Sequence, residues 1–439
     1  MKEPLQFYLI TDLHYFENSL GAAGEAYEAR SRTDQKCIAE TGAIIDSAFA
    51  RIAADTRTEI VLIAGDMTFN GEAESHKGMI KKLEALKAGG KRIYMITGNH
   101  DGSNDPYAFS GKERIPVEET RREDLAALYY AYGMRDAIAV DARRVCYVAQ
   151  LGDGVRLLGI NYNLGPENSG LEDSMDWIAA QIEDARRSGN LIFGMIHVPI
   201  LPGSPILAQV GDATVRDWKG IATKLADAGL PLMFSGHMHM QSVNRLVTPA
   251  GNFIFDICTG SLVGGPCAIR KVVIDENRVM RVTTSTVPDF DWDKNGMTAE
   301  EYFIWRFNRK IEHEIVSRLR GKLVPHIVRG ATLATLSKLL FFRADPSLKN
   351  KKFLEAAVEL SRNVFYGDQP YTEGTPEHTY IMKMLGRLKP AVWIAEKWLS
   401  PGNEYFKDIP ALVASLIGKE RKIDNHAVID LQRGTVMPL

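Results

Sequence analysis

The run Ile93-Tyr94-Met95-Ile96, followed directly by Thr97-Gly98-Asn99-His100-Asp101, decides how this chain is read. A short apolar run of β-branched and aromatic residues predicts a buried strand. Gly98 permits a sharp turn, and an amide, an imidazole and a carboxylate then follow in succession. Each can bind a metal or move a proton, which raises the question of whether other strand ends supply the remaining parts of a site.

They do, in order. A strand over 5–11 closes on Asp12-Leu13-His14, and one over 60–63 ends at Gly65-Asp66. One over 191–196 delivers His197, and a short one over 231–234 ends at Gly236-His237-Met238-His239. Helices are expected between them: 34–54 with Asp34 as N-cap, 72–88 stopped by Gly89-Gly90, 118–132, 171–187 and 217–228. The Gly/Ala/Glu-rich segment 20–32 reads as a loop, and 145–150 with 155–162 as two strands joined by a turn. Strands alternating with helices predict a parallel sheet with helical crossovers. Four further strands, at 242–246, 253–258, 268–274 and 279–286, have no helices between them and predict an antiparallel second layer.

After the polar hinge 286–296 the texture changes. Phe303, Phe307, Ile311, Ile315 and Leu319 recur every four residues, and no strand is expected again. Helices are expected over 298–323, 331–342, 351–365, 378–388 and 391–399, with a shorter one near 411–417. The expected division is a catalytic unit over 1–290 and an all-α C-terminal domain over 297–439, serving as a cap or for docking. Phe303, Trp305, Phe307, Trp393 and Trp398 read as core rather than base-stacking residues.

Composition narrows the function classes. The chain has 439 residues, 45% hydrophobic and 25% charged, with a net charge of −2, which argues against a dedicated non-specific nucleic-acid binder. From Met297 onward there are 22 Lys+Arg against 16 Asp+Glu, and elsewhere 31 against 39. Cys37, Cys146, Cys258 and Cys267 lack metal-type pair spacing and are expected to be reduced core thiols. The first residues lack the pattern of a signal peptide and no apolar stretch is long enough to span a membrane, so the expected location is the cytoplasm.

Five of the ten histidines sit at the strand ends just named. Parallel strands send their C-terminal ends to one edge, where open α/β folds place their sites. For a Gly-His-x-His pattern, this Gly and His content gives about 0.02 matches by chance. Mixed imidazole, carboxylate and amide donors suit two adjacent divalent ions of the Mn, Fe or Zn kind.

Asp12-x-His14, Gly65-Asp66, Gly98-Asn99-His100-Asp101, His197 and Gly236-His-Met-His239 together resemble the ordered motif set of the calcineurin-like metallophosphoesterases. The resemblance covers about residues 5–240. The wording of Thr11–Tyr15, of Gly65–Glu72 and of Thr259–Leu262 looks most like bacterial class III cyclic-nucleotide-type phosphodiesterases, some of which carry a helical C-terminal domain. It implies a double-sheet α/β/β/α sandwich. It further implies that Asp12, His14 and His239 hold one metal, that Asn99, His197 and His237 hold the other, and that Asp66 bridges. The cofactors implied are two divalent or mixed-valence ions, and the chemistry is attack by a metal-bridging hydroxide. His100, free of metal, would assist the leaving group, with Asp101 orienting it. The expected substrate is a small phosphodiester such as a cyclic nucleotide.

The main alternative is a phosphomonoesterase of the same fold. Phosphatase relatives have an Arg after the second motif that grips a phosphate dianion in bidentate fashion. Here the loop reads Met67-Thr68-Phe69-Asn70-Gly71, without Arg. A non-catalytic scaffold is the remote alternative, disfavoured because every motif position is filled. His76 reads as a helix-surface residue, and His313, His326, His378 and His426 have no ligand spacing.

Overall fold

The computed structural model of the protein describes residues 3–165, 170–209, 211–317, 329–399, 409–417 and 422–439. Two mixed seven-stranded sheets lie face to face, with helices on both outer surfaces. In the first sheet β1 (Leu5–Ile10), β2 (Ile60–Ala64) and β3 (Arg92–Ile96) run parallel. In the second, β4 (Val155–Ile160), β5 (Leu191–Ile196), β6 (Leu232–Ser235) and β7 (Phe253–Cys258) do the same.

These strands are predominantly apolar on both faces because both faces are covered. In β1, Phe7 and Leu9 point into the layer between the sheets, while Tyr8 and Ile10 point outward to the helices Thr41–Ala54 and Ala73–Ala88. Phe7 stacks on Phe193 at 5.6 Å and meets Phe234 edge-on at 5.7 Å, joining the two sheets through aromatic contacts. The helices Met175–Arg187 and Trp218–Ala228 cover the outer face of the second sheet. All four cysteines are buried and free, as expected.

Several expectations are corrected. The strands after residue 241 do not form a separate antiparallel layer but divide between the two sheets. Ser242–Val247 and Phe253–Cys258 extend the second sheet, and β7 runs parallel to β6. Ala268–Ile274 extends the first sheet antiparallel to β1, and Val279–Thr286 follows antiparallel to Ala268–Ile274. The expected loop at 20–32 contains the helix Glu25–Thr33, which has acids in its first turn and arginines in its last, the arrangement that favours the helix dipole. Asp34 caps no helix: its carboxylate takes Arg30 at 2.7 Å and the Lys36 N–H at 3.0 Å, and the next helix starts at Thr41. Little of the helix expected over 118–132 forms beyond Leu125–Leu128, because Glu119 bridges to Glu72 and Thr120 N–H donates to Gly71 O at 2.9 Å. A hairpin of Tyr107–Ser110 and Glu113–Pro116 lies before it.

The C-terminal region is helical, as expected, over Ala299–Ser317, Leu333–Leu339, Phe353–Tyr366, Pro376–Leu399 and Ile409–Ala414. Thr298 and Glu301 form a reciprocal capping box: Glu301 Oε2 accepts from Thr298 N–H at 2.8 Å, and Thr298 Oγ1 from Glu301 N–H at 3.3 Å. Phe303 and Phe307 are buried, as expected. His326 and the side chains of Trp393 and Trp398 lie outside the described residues. Among the described residues no helix is long and apolar enough to cross a membrane. The expectation of no further strand is corrected by His426–Asp430 and Thr435–Pro438. This hairpin pairs with Val279–Thr286 and extends the first sheet to its edge.

Ala427 and Ile429 of that hairpin are fully buried between the sheets, whereas Met437 is 57% exposed. Ile429→Ala is therefore expected to destabilise the protein by about 2–5 kcal/mol, and Met437→Ala by less than about 0.5 kcal/mol. Urea titration followed by tryptophan fluorescence measures both. Equal, small effects would mean that the hairpin is not part of the core.

Candidate metal centre

The parallel strands of the two sheets end at one edge, and the loops leaving them interlock. Asp12 N–H donates to Gly65 O at 3.0 Å, His14 N–H to Asp66 O at 2.9 Å, and Gly236 N–H to His197 O at 2.9 Å. Asp12, His14, Asp66, His237 and His239 all have left-handed backbones, with φ between 40° and 65°. Non-glycine residues rarely adopt this conformation, and where it clusters it marks functional loops. Gly98 is required for a different reason: a Cβ there would collide with the Asp66 carboxylate.

The side chains converge. His14 Nε2 lies 3.5 Å from Asp66 Oδ2, 3.6 Å from Asp12 Oδ1 and 2.9 Å from His239 Nε2. His197 Nε2 lies 3.2 Å from Asp66 Oδ2 and 3.1 Å from Asn99 Oδ1, and that amide oxygen is 2.9 Å from His237 Nδ1. Three groups, Asp12/His14/His239, Asp12/Asp66/His197 and His14/Asp66/His100, each have donor atoms within 4.8 Å of one another. All seven residues expected to hold metal are thus brought together, with Asp66 between the two sets.

A cation fits this donor set. Asp12 Oδ1 is buried without a hydrogen-bond partner, although it faces imidazole nitrogens. Two histidines use their outer nitrogen on a backbone carbonyl, His197 Nδ1 on Ala64 O at 2.8 Å and His237 Nε2 on Asp212 O at 2.8 Å. Each then turns its other nitrogen toward the centre, the usual arrangement of ligating imidazoles. Charge points the same way. Burial would lower the His197 imidazole, but the Asp66 and Asp12 carboxylates and the Ala64 carbonyl together outweigh it and push it up to about 10. Burial would likewise raise Asp12, yet the surrounding imidazoles, His239 foremost, hold it well below the usual carboxylate range. The cluster draws positive charge inward.

His100 lies at the rim of this group, its ring 4.8 Å from that of His14. Its orientation is not set by Asp101, contrary to expectation. Nδ1–H donates to Phe69 O at 2.8 Å, with Asn70 Oδ1 at 3.0 Å, and the Asn104 amide lies beside it at 3.1 Å. The Asp101 carboxylate turns inward and accepts from Gly98 N–H at 2.7 Å and Thr68 N–H at 3.1 Å, which ties the second motif loop to the third. Burial and the Asp66 charge push it up to about 7, and burial pulls His100 down to about 4. His76 is also not a surface residue: it is buried, with Nε2 2.7 Å from Asp101 O and Nδ1 2.6 Å from Tyr129 Oη.

Sequence reasoning missed Asn70, Asn104 and Lys36. Asn70 lies in a loop already under scrutiny, so the amide was a readable signal. Lys36 gave none. It is 5% exposed, its ammonium sits 5.0 Å over the Phe69 ring, and a backbone bridge to Gly264 fixes it beside the centre. Asp256 is a further brace, accepting from Ile200 N–H at 2.7 Å, Leu201 N–H at 2.8 Å and Ser235 Oγ at 2.6 Å, and so joins the loops that carry His197 and His237.

The family profile described as Calcineurin-like phosphoesterase matches residues 5–241, more than half of the chain. Among solved structures, a dimetal phosphatase from Danio rerio is similar at 14% identity, with 65% of this chain and 97% of that one covered and a TM-score of 0.46. A purple acid phosphatase from yellow lupin (Lupinus luteus) seeds is 11% identical, with 68% and 53% covered and a TM-score of 0.45. The NAD nucleotidase of Haemophilus influenzae is 11% identical, with 76% and 62% covered and a TM-score of 0.37. No curated protein matches the chain in sequence.

Because the Gly98 position abuts the Asp66 carboxylate, Gly98→Ala is expected to weaken metal binding by about 10–100-fold, as loss of ligand-orienting contacts does. Competition with a chromogenic chelator, using Zn²⁺ or Mn²⁺, measures it. Unchanged affinity would show that the Asp66 carboxylate does not depend on this close approach.

Proposed function

This chain belongs to the calcineurin-like phosphoesterase family, and from that premise we propose that it is a two-metal phosphodiesterase acting on small diesters such as cyclic nucleotides. The observation that carries the reading is the place of Asp66, whose Oδ2 lies 3.5 Å from His14 on one side and 3.2 Å from His197 on the other. On this reading Asp12, His14 and His239 hold one ion, Asn99, His197 and His237 the other, and Asp66 both. Two bound ions of the Mn, Fe or Zn kind would supply a water acidic enough to attack at neutral pH and positive charge for the phosphoryl oxygens.

The chain's own residues do the rest. Asn99 is a neutral oxygen donor among charged ones, which limits the negative charge facing an anionic substrate. His100, anchored through Nδ1 on the Phe69 carbonyl, has Nε2 left to contact a phosphoryl oxygen or protonate the leaving oxygen. The incoming phosphate anion favours the imidazolium that this transfer requires. Asp101 acts one step removed, fixing the turn that presents both Asn99 and His100.

The preference for diesters rests on the charge beside the site. The Met67–Gly71 loop carries no arginine, and Lys36 offers a compact point charge rather than a bidentate fork. One such charge suits the single anionic charge of a diester better than the dianion of a monoester. Residues 1–290, completed by the hairpin His426–Asp430 and Thr435–Pro438 in the first sheet, are assigned as the catalytic unit, and the helices between residues 297 and 417 as a cap on it.

His100→Ala is expected to lower turnover by about 10²–10⁴-fold while metal is retained, the usual worth of a positioned acid, whereas Asp66→Ala is expected to lose metal as well. Rates on 2′,3′-cAMP, 3′,5′-cAMP, bis-p-nitrophenyl phosphate and p-nitrophenyl phosphate with added Mn²⁺, beside metal content, measure both. Near-native rates of the His100 variant on a diester with a poor leaving group would remove its assigned role. Faster hydrolysis of the monoester would replace the diesterase reading with a phosphatase one, and a metal-loaded protein inert on all four would leave a scaffold.

A further inference from the structure

Between the helices Glu25–Thr33 and Thr41–Ala54 the chain runs along the metal centre without supplying a ligand. Gln35 Nε2 donates to Gly265 O at 2.6 Å and to His239 O at 3.4 Å, and Cys37 N–H donates to Val263 O at 2.8 Å. Ser261, on that same stretch, donates through Oγ to Asp12 O at 2.8 Å. Lys36, between Gln35 and Cys37, is thereby fixed beside the loops that carry Asp12 and His239.

Lys36 is 5% exposed, and among the described residues its ammonium makes no hydrogen bond and no ion pair. Asp34, the acid nearest in the chain, is taken by Arg30 at 2.7 Å. The ammonium rests 5.0 Å over the Phe69 ring, and Phe69 O is the acceptor that anchors His100. Its charge acts on Asp66, Asp12, His14 and His100 together, which places it at the rim of the centre. Unlike Asp12 Oδ1 or Glu40 Oε2, this unpartnered atom is not sealed from solvent. A cation so far withdrawn from water without a counter-ion is costly. An anion bound at the centre supplies the missing partner.

The cap reaches this segment through two side chains of the helix Ala299–Ser317. Arg306 donates to Ser31 Oγ at 2.9 Å and to Lys36 O at 3.4 Å, and its Nε lies 3.8 Å from Glu40 Oε1. Tyr302, one turn earlier, donates to the same Glu40 oxygen at 2.5 Å. Glu40 is 2% exposed, so the two side chains answer a buried carboxylate while bracing the segment on both sides of Lys36. One planar guanidinium serves three partners at once, which the single ammonium of a lysine does not reproduce.

We propose that Lys36 contacts the phosphoryl oxygens of the substrate, and that Arg306 of the cap is the positioning residue that holds its backbone at the centre. The assignment rests on the two-metal phosphoester reading and makes the cap a part of substrate binding without touching the substrate. Lys36→Met tests the first part, because it keeps the length of the side chain and removes its charge. Arg306→Lys tests the second, because it keeps a cation beside Glu40 and removes the fork that reaches Ser31 and Lys36 together.

Orthophosphate is titrated calorimetrically into the Zn²⁺-loaded full chain, and KM and kcat for bis-p-nitrophenyl phosphate are measured in parallel. Lys36→Met is expected to weaken phosphate binding and to raise KM by about tenfold to hundredfold, the worth of a hydrogen bond to a charged group, with metal content unchanged. Arg306→Lys is expected to shift both by about threefold or more in the wild type and by less than about 1.5-fold once Lys36 is Met, since residues that act through one another are not additive. A general loosening of the fold would multiply the two effects instead. No phosphate binding to the loaded wild type, or binding and KM that Lys36→Met leaves unchanged, overturns the assignment of Lys36. An Arg306→Lys effect that is absent, or that persists in full without Lys36, overturns the positioning role. A wild type that binds phosphate through Lys36 but hydrolyses no diester overturns the diesterase reading while the assignment of Lys36 stands.

Discussion

Everything at the edge of the sandwich depends on the Asp66 carboxylate being buried where its charge is answered from several sides. It is 1% exposed, accepts the His100 backbone N–H at 2.8 Å through Oδ1, and presents Oδ2 to His14 and His197. A carboxylate taken out of water is costly unless it is paired or metal-bound. The imidazoles are pulled into place because they, or the cations they would hold, are what balances it. Gly98 passes close behind because no side chain fits between the third motif and this oxygen. Left-handed backbones at five of the contributing residues are the conformational cost of bringing so many donors to one point. The sandwich bears that cost because its parallel strands are buried on both faces.

The two sheets contribute unequally but jointly. The first supplies Asp12, His14, Asp66, Asn99 and His100, and the second supplies His197, His237 and His239. Neither sheet has a complete set, so the aromatic contacts of Phe7 with Phe193 and Phe234 that join the layers also register the site. Asp256 acts within the second sheet and the Asp101 carboxylate within the first. Each holds adjacent loops together through backbone N–H groups rather than through contact with the reacting atoms.

The candidate site was legible in the sequence to an unusual degree because its residues sit at the ends of locally encoded strands. A strand's apolar run and the polar turn after it are neighbours in the chain, so Asp66 or His197 can be placed without knowing which strand pairs with which. What escaped reading depended on pairing at a distance. The hairpin His426–Asp430 and Thr435–Pro438 finds its partner in a strand about 140 residues earlier, and its short apolar alternation is indistinguishable from a loop without that partner. Lys36 reaches the centre through a bridge to Gly264. Asp101 looked like the orienter of His100 because it is its neighbour in the chain, yet adjacent side chains on a turn diverge, and here one faces the site and the other the core. The helix Glu25–Thr33 was hidden by the glycines before it and buries no residue that a periodic pattern could reveal.

The central claim is that two distinct donor sets, joined by one carboxylate, hold two ions. Elemental analysis of protein saturated with Mn²⁺ or Zn²⁺ and freed of excess metal tests it most directly, on the wild type and on His14→Ala and Asn99→Ala. About two ions per chain are expected in the wild type, falling to about one in each variant, because each substitution removes a donor from a different set. A single ion per chain in the wild type, or a metal content that neither substitution changes, would contradict the account.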